Sequence, residues 1–279
     1  MSSDQGADEI GRRPTSPVVP TQLRADGVPR YDRRGLLLAG AGLVAAAAAV
    51  VARLAGHDPT PPRAPTAAWR EVFFDDFDGS ELDPAAWSRY DGPGGQNVGR
   101  RDPRQVVVSQ GELRIVAMGD VSGGLAHRQN HVYGKWEVRA RIDRGSGYGP
   151  AILLWPQSDR WPEDGEIDIS EVPEGARRRS HFTVHWGRNN TQEGTFSSAD
   201  FTRWHVFGCE WEPGGIRYLL DGRPLWTLRA PRAAIPQKPM HLAIQLDVGA
   251  PGLWIPPRDA ATPQPVVLHV DWVRVSQRA

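Results

Sequence analysis

The sequence has a single cysteine in 279 residues, Cys209, so no intramolecular disulfide can staple the chain and stability has to come from apolar burial. Among Trp204, Val206, Phe207 and Trp211, that cysteine reads as a small buried hydrophobe and not as a nucleophile. A charge imbalance is missing too. Lys+Arg and Asp+Glu both total 33, which leaves no basic excess to draw a polyanion and excludes nucleic acid as an expected partner. After residue 60 there is no long amphipathic helical stretch and no repeat period, which argues against helical bundles and solenoids. What is abundant is 11 Trp, 30 Gly and 25 Pro, the profile of a turn-rich, all-β protein with aromatic surfaces.

The first 67 residues read as an address. Residues 1–34 are polar and aperiodic, a disordered basic leader ending in Arg33-Arg34. Residues 35–52 form an uncharged, Ala-rich run. An arginine pair directly before such a run resembles a twin-arginine export signal, although Asp32 replaces the usual Ser or Thr and Leu38 the usual Lys. Cleavage near Val50-Val51-Ala52 and retention of 35–52 as a membrane anchor are both open. In either case the expected location is secreted or on the outer face of the cytoplasmic membrane, with the export machinery as a partner. Residues 53–67, with Pro59, Pro61, Pro62 and Pro65, are expected to be an extended linker, and 68–279 one globular domain acting as a monomer.

In 135–143, Trp136, Val138, Ala140 and Ile142 alternate with Lys135, Glu137, Arg139 and Arg141, the period of a half-buried strand. Further strands are predicted over 72–77, 106–108, 112–117, 151–155, 166–171, 181–186, 204–211, 216–220, 240–246 and 266–275. Asp221-Gly222 is a hairpin signal, since both residues tolerate positive φ. This many short strands fit a two-sheet sandwich with one polar concave face where a polymer could lie.

The chemistry is concentrated in Trp161-Pro162-Glu163-Asp164-Gly165-Glu166-Ile167-Asp168-Ile169-Ser170-Glu171. On a regular strand Glu171 would point into the core, opposite to Glu166 and Asp168, where burying even a neutral polar group costs about 2–7 kcal/mol. A β-bulge around Ile169-Ser170 would return it to their face. The backbones of Glu166 and Glu171 would then be ~13 Å apart at ~3.3 Å per residue, and long side chains leaning inward reach the roughly 5–5.5 Å separation of a retaining glycosidase. Crowding divides the labour: one glutamate stays ionised as nucleophile while the other keeps a proton to donate.

The segment resembles the active-site strand of glycoside hydrolase family 16, in the bulged form of its laminarinase-like members. Matches in order include Phe73-Phe74-Asp75-Asp76-Phe77-Asp78, Tyr133-Gly134-Lys135-Trp136-Glu137-Val138-Arg139, Thr183-Val184-His185 and Val270-Asp271-Trp272-Val273-Arg274-Val275. The resemblance implies a jelly-roll β-sandwich, concanavalin A-like, with a concave substrate cleft, and a retaining endo-β-glucanase working by double displacement without a catalytic cofactor. It implies Glu166 as nucleophile, Glu171 as acid/base and Asp168 as the carboxyl that tunes both. Glu137 and Arg139 match sugar-binding positions, and Trp161 matches the ring that stacks on a sugar. His185 reads equally as a cleft residue or a structural histidine, and Trp155 and Trp186 equally as sugar contacts or core. Gln245 stands where these relatives usually carry Asn, and Asp247 where they carry an apolar residue. By the same match, Asp271 with Asp76 and Gly111 would hold a structural calcium, the alternative being an Asp–Arg pair. The competing functions are a galactan hydrolase, a cell-envelope transglycosylase and a non-catalytic carbohydrate-binding protein.

Overall fold

The computed structural model of the chain describes residues 68–229 and 234–279. The readings of 1–67 as leader, apolar segment and linker lie outside the described residues. Among those described, seventeen strands follow in chain order: β1 (Trp69–Asp75), β2 (Trp87–Arg89), β3 (Gly92–Pro93), β4 (Arg100–Arg101), β5 (Val106–Ser109), β6 (Glu112–Ala117), β7 (Val121–His127), β8 (Gly134–Ile142), β9 (Tyr148–Pro156), β10 (Glu166–Glu171), β11 (Arg179–Trp186), β12 (Thr191–Ser198), β13 (His205–Glu212), β14 (Gly215–Leu220), β15 (Arg223–Leu228), β16 (Met240–Val248) and β17 (Val266–Arg278).

They form two sheets. The first runs β15-β14-β13-β8-β17-β6-β5, and the second β12-β11-β10-β9-β16-β7-β4-β3 with β2 beside β7. The 13-residue β17 organises the first: β8 pairs along one edge, while β6 and then β1 share the other. Asp221 and Gly222, at φ 51° and 72°, make the predicted turn between β14 and β15.

β8 shows the predicted alternation, with Trp136, Val138, Ala140 and Ile142 buried and the charged residues on the other face. Those apolar residues join Phe207, Val273 and Val275 of the first sheet and Leu154, Ile167, Ile169, Val184 and Ile244 of the second in one continuous core. Each such side chain contributes about 1.5–3 kcal/mol on burial, so a core of this extent holds two sheets together without disulfides. Cys209 is part of it, and burial pushes its thiol well above the ordinary range. The fold is therefore an all-β jelly-roll sandwich.

Candidate active site

β10 carries the carboxyl groups on the outer face of the second sheet. Ile167 and Ile169 enter the core, so Glu166 and Asp168 point the other way. Asp168 stands opposite Leu153 on β9 and Thr183 on β11, and Glu171 opposite Ala151 and His181. Three steps along β10 thus match two on each neighbour. This is a one-residue bulge at Ile169-Ser170, as predicted. Ser170, opposite core-facing Ile152, joins its hydroxyl to that of Ser180 at 2.9 Å, and Glu171 returns to the face of the other two carboxyls.

The turn into β10 requires glycine. Gly165 has φ 88°, and a Cβ there would lie 2.8 Å from Pro236 and 3.0 Å from the His185 carbonyl oxygen. The loop ahead of it is tied down by Asp164, which accepts from Ser158 at 2.6 Å and Arg160 at 2.9 Å. This places Trp161, whose indole N–H donates to Glu166 Oε2 at 2.6 Å and whose ring stacks on Trp155 at 6.3 Å and 13°. Trp155 Nε1 in turn donates to Asp159 at 2.9 Å. His185, opposite Glu166, holds Asn190 Oδ1 with Nδ1 at 2.8 Å and lies 3.3 Å from Asp168 Oδ2 with Nε2.

Between the carboxyls and β16, the floor is small and apolar: Ala151, Leu153 and Ala243, flanked by Tyr90 and Trp155. The far wall is polar. Asp247 accepts from Arg101 Nε and Nη2, both at 2.8 Å, from the Gly95 amide at 3.1 Å and from Gln245 Nε2 at 2.9 Å. Arg101 also lies 5.1 Å over the Tyr90 ring. Tyr90 can lie against the sheet because Gly124 has no side chain; a Cβ there would meet it at 2.6 Å.

Burial is the largest influence on all three carboxyls, and it raises the pKa of each. For Glu166 the charge of Asp168 raises it further, while His185 and the Trp161 hydrogen bond act against this. For Asp168 the next contribution is the charge of Glu171, and a hydrogen bond with Glu166 opposes it. Glu171 is moderated by His185 and by a hydrogen bond from the Trp254 indole. The set therefore retains protons above the usual carboxylate range, and Trp161 donates its indole N–H to Glu166. Ligand atoms of Glu166, Asp168 and His185 lie within 4.8 Å of one another, close enough to share a cation.

A model of the family described as glycosyl hydrolases family 16 matches residues 97–274. The chain belongs to this family. The β-glucanase of Rhodothermus marinus is 30% identical over 247 residues, covering 74% of this chain and 85% of the relative. The laminarinase structure from the same organism superimposes with a TM-score of 0.68 at 29% identity, covering 76% of this chain and 98% of that one. The endo-β-1,3-glucanase of Pyrococcus furiosus gives 0.70 at 26% identity, with 76% and 95% covered.

As a glycosyl hydrolase of family 16, the chain brings Glu166, Asp168, Glu171, Trp155, Trp161, His185 and Gln245 to one face. Three expected sugar contacts fall elsewhere. Glu137 and Arg139 sit on β8, in the other sheet, on the face turned away from the core; Glu137 pairs with Lys135 at 3.1 Å and Arg139 with Asp271 at 2.5 Å. The alternation along β8 exposes them, but a period of two does not say which sheet a strand joins. Trp186 follows Phe182 and Val184 toward the interior and packs against the core, so it is no cleft residue. Asp271, expected at a calcium, is bound to Arg139, whose positive charge opposes a cation at the same carboxylate. Four residues on this face were not foreseen: Tyr90, Arg101, Asn190 and Trp254. They come from loops and short strands with no periodicity to mark them.

Asp168→Asn is expected to raise the melting temperature at neutral pH while lowering kcat. A carboxyl whose folded pKa is raised costs stability above its unfolded pKa, and the cost grows until the pH passes the folded value. The amide removes that cost, and a gain of about 1 kcal/mol would appear as about 2–4 °C in a domain of this size. A fall in Tm on scanning calorimetry would show that Asp168 serves the fold instead.

Proposed function

We propose that the protein is an exported, retaining endo-β-glucanase that cuts β-1,3- or mixed-linkage glucan by double displacement. The observation that carries this reading is the bulge that returns Glu171 to the face of Glu166 and Asp168 beside an aromatic pair and a small apolar floor. Ionised Glu166 attacks the anomeric carbon while protonated Glu171 gives its proton to the departing glycosidic oxygen. The glycosyl ester on Glu166 is then hydrolysed by water, from which Glu171 takes the proton. Asp168 shares a hydrogen bond with Glu166, and the Trp161 N–H orients Glu166. Trp161 and Trp155 offer ring faces to the apolar side of a pyranose.

The wild-type protein is expected to shorten laminarin and mixed-linkage glucan to oligosaccharides and to leave agarose intact. Cleavage of agarose in preference to both would make it a galactan hydrolase, transfer products alone a transglycosylase, and binding without cleavage a lectin-like protein. The export reading rests on Arg33-Arg34 before 35–52; replacing both by lysine should leave the protein inside the cell, and unchanged export would remove it. On this mechanism no cofactor is needed. A structural calcium held by Asp271 and the carbonyls of Asp76 and Gly111 would have to displace Arg139, and a Tm indifferent to chelator and to added calcium would dismiss it.

A further inference from the structure

Direct cross-strand partners share a face of a sheet, so the register of six strands traces one line across the outer face of the second sheet. From β7 to β12 the line reads Gly124, Gln245, Ala151, Glu171, His181 and Phe196. Phe196 lies two strands beyond Glu171, ~10 Å away at ~4.8 Å per spacing. A polysaccharide lying along this line with a glycosidic oxygen at Glu171 passes over Phe196.

Phe196 is 53% exposed, and it is the one large apolar residue of β12, whose other members are Thr, Gln, Glu, Gly and Ser. Strand parity puts it beside His181, away from the core-facing Phe182. It is therefore not a core residue that happens to show an edge. The strip between Phe196 and Glu171 is continuous: His181 lies 6.2 Å from the Phe196 ring, Trp254 stands edge-on to His181 at 4.8 Å, and Trp254 hydrogen-bonds Glu171. The Arg179 guanidinium lies 4.6 Å over the Phe196 ring and carries donors a sugar hydroxyl can accept from. An exposed ring beside the N–H donors of Arg179, which also lies 3.7 Å from Glu174, and in line with Glu171, suits the apolar face and hydroxyl rim of a pyranose.

The geometry points to a further sugar-binding subsite in which Phe196 packs against a pyranose ring of the same glycan chain that Glu171 cleaves, while Arg179 donates to that ring's hydroxyls. This rests on the glucanase reading and extends it by a binding position at the rim of the sheet. Its signature is chain length, because only a substrate long enough to reach β12 uses it.

The test compares kcat/KM on a long and a short oligosaccharide for the wild type, Phe196→Ala and Phe196→Trp, with Tm measured alongside. The long-to-short ratio of Phe196→Ala is expected to be roughly five- to tenfold below wild type, through KM, and Phe196→Trp to restore it. An unchanged ratio overturns the subsite, whether both rates fall together or neither does. The ratio is read on whichever glycan the wild type cleaves, so a wrong choice of glycan and a wrong subsite give different results.

Discussion

Glu166→Gln is expected to lower kcat by at least about 10⁴-fold on every substrate, whatever its leaving group, because no covalent intermediate can form without the carboxylate. The amide is isosteric, so the Trp161 N–H keeps an oxygen acceptor and the loop before β10 keeps its anchor. Substrate affinity should therefore change little, and the loss should sit in kcat. The buried carboxyl also crowds against Asp168 and Glu171, so the variant should melt no lower than wild type. An activity loss of tenfold or less, measured with enzyme free of wild-type contamination, would remove Glu166 from the nucleophile's role. On the proposed mechanism the pH dependence follows from the same residues, since turnover would need Glu166 ionised and Glu171 protonated. Burial raises the pKa of Glu166 as well as that of Glu171, so the acid limb should rise, and the alkaline limb fall, at higher pH than exposed carboxyls would give.

Glu171→Ala is expected to divide substrates by their leaving groups. A glucan oxygen needs a proton to depart, and loss of general acid catalysis should lower its cleavage by about 10²–10⁴-fold. A dinitrophenyl glycoside needs none, so the glycosyl ester on Glu166 should still form and then accumulate, because the base that activates water is also gone. Azide needs no base and fits the space left by the side chain. It should restore turnover and release a β-glycosyl azide, whereas azide added to Glu166→Ala should give the α-product by direct attack. Exchanged products would exchange the two assignments.

How far this site could be read in advance depended on what each residue's position is dictated by. The bulge was legible because a regular strand would have buried Glu171 without a partner, and burial energetics forbid that. β8 was legible from its period, but the outer faces of both sheets are polar, and nothing in Lys135 to Arg141 distinguishes them; Glu137 and Arg139 were misplaced for that reason. β7, with Val121-Ser122-Gly123-Gly124-Leu125, hides a central strand behind two glycines, of which Gly124 lets Tyr90 and Gln245 approach and Gly123 lies against Val106 and Gln105. β12 is a polar edge strand without alternation, so Phe196 had no visible element to belong to. The Asp247 departure was visible, yet its meaning depended on Arg101, 146 residues away in sequence, which binds it through two nitrogens.

The most direct test of the account is to trap the intermediate. Wild-type protein incubated with a 2-deoxy-2-fluoro-β-laminaribiosyl fluoride should lose activity with time, and peptide mapping by mass spectrometry should find one glycosyl adduct, on Glu166. An adduct on Glu171 or Asp168, or a protein that stays unlabelled while its first-formed product is the inverted anomer by proton NMR, would contradict a double displacement through Glu166.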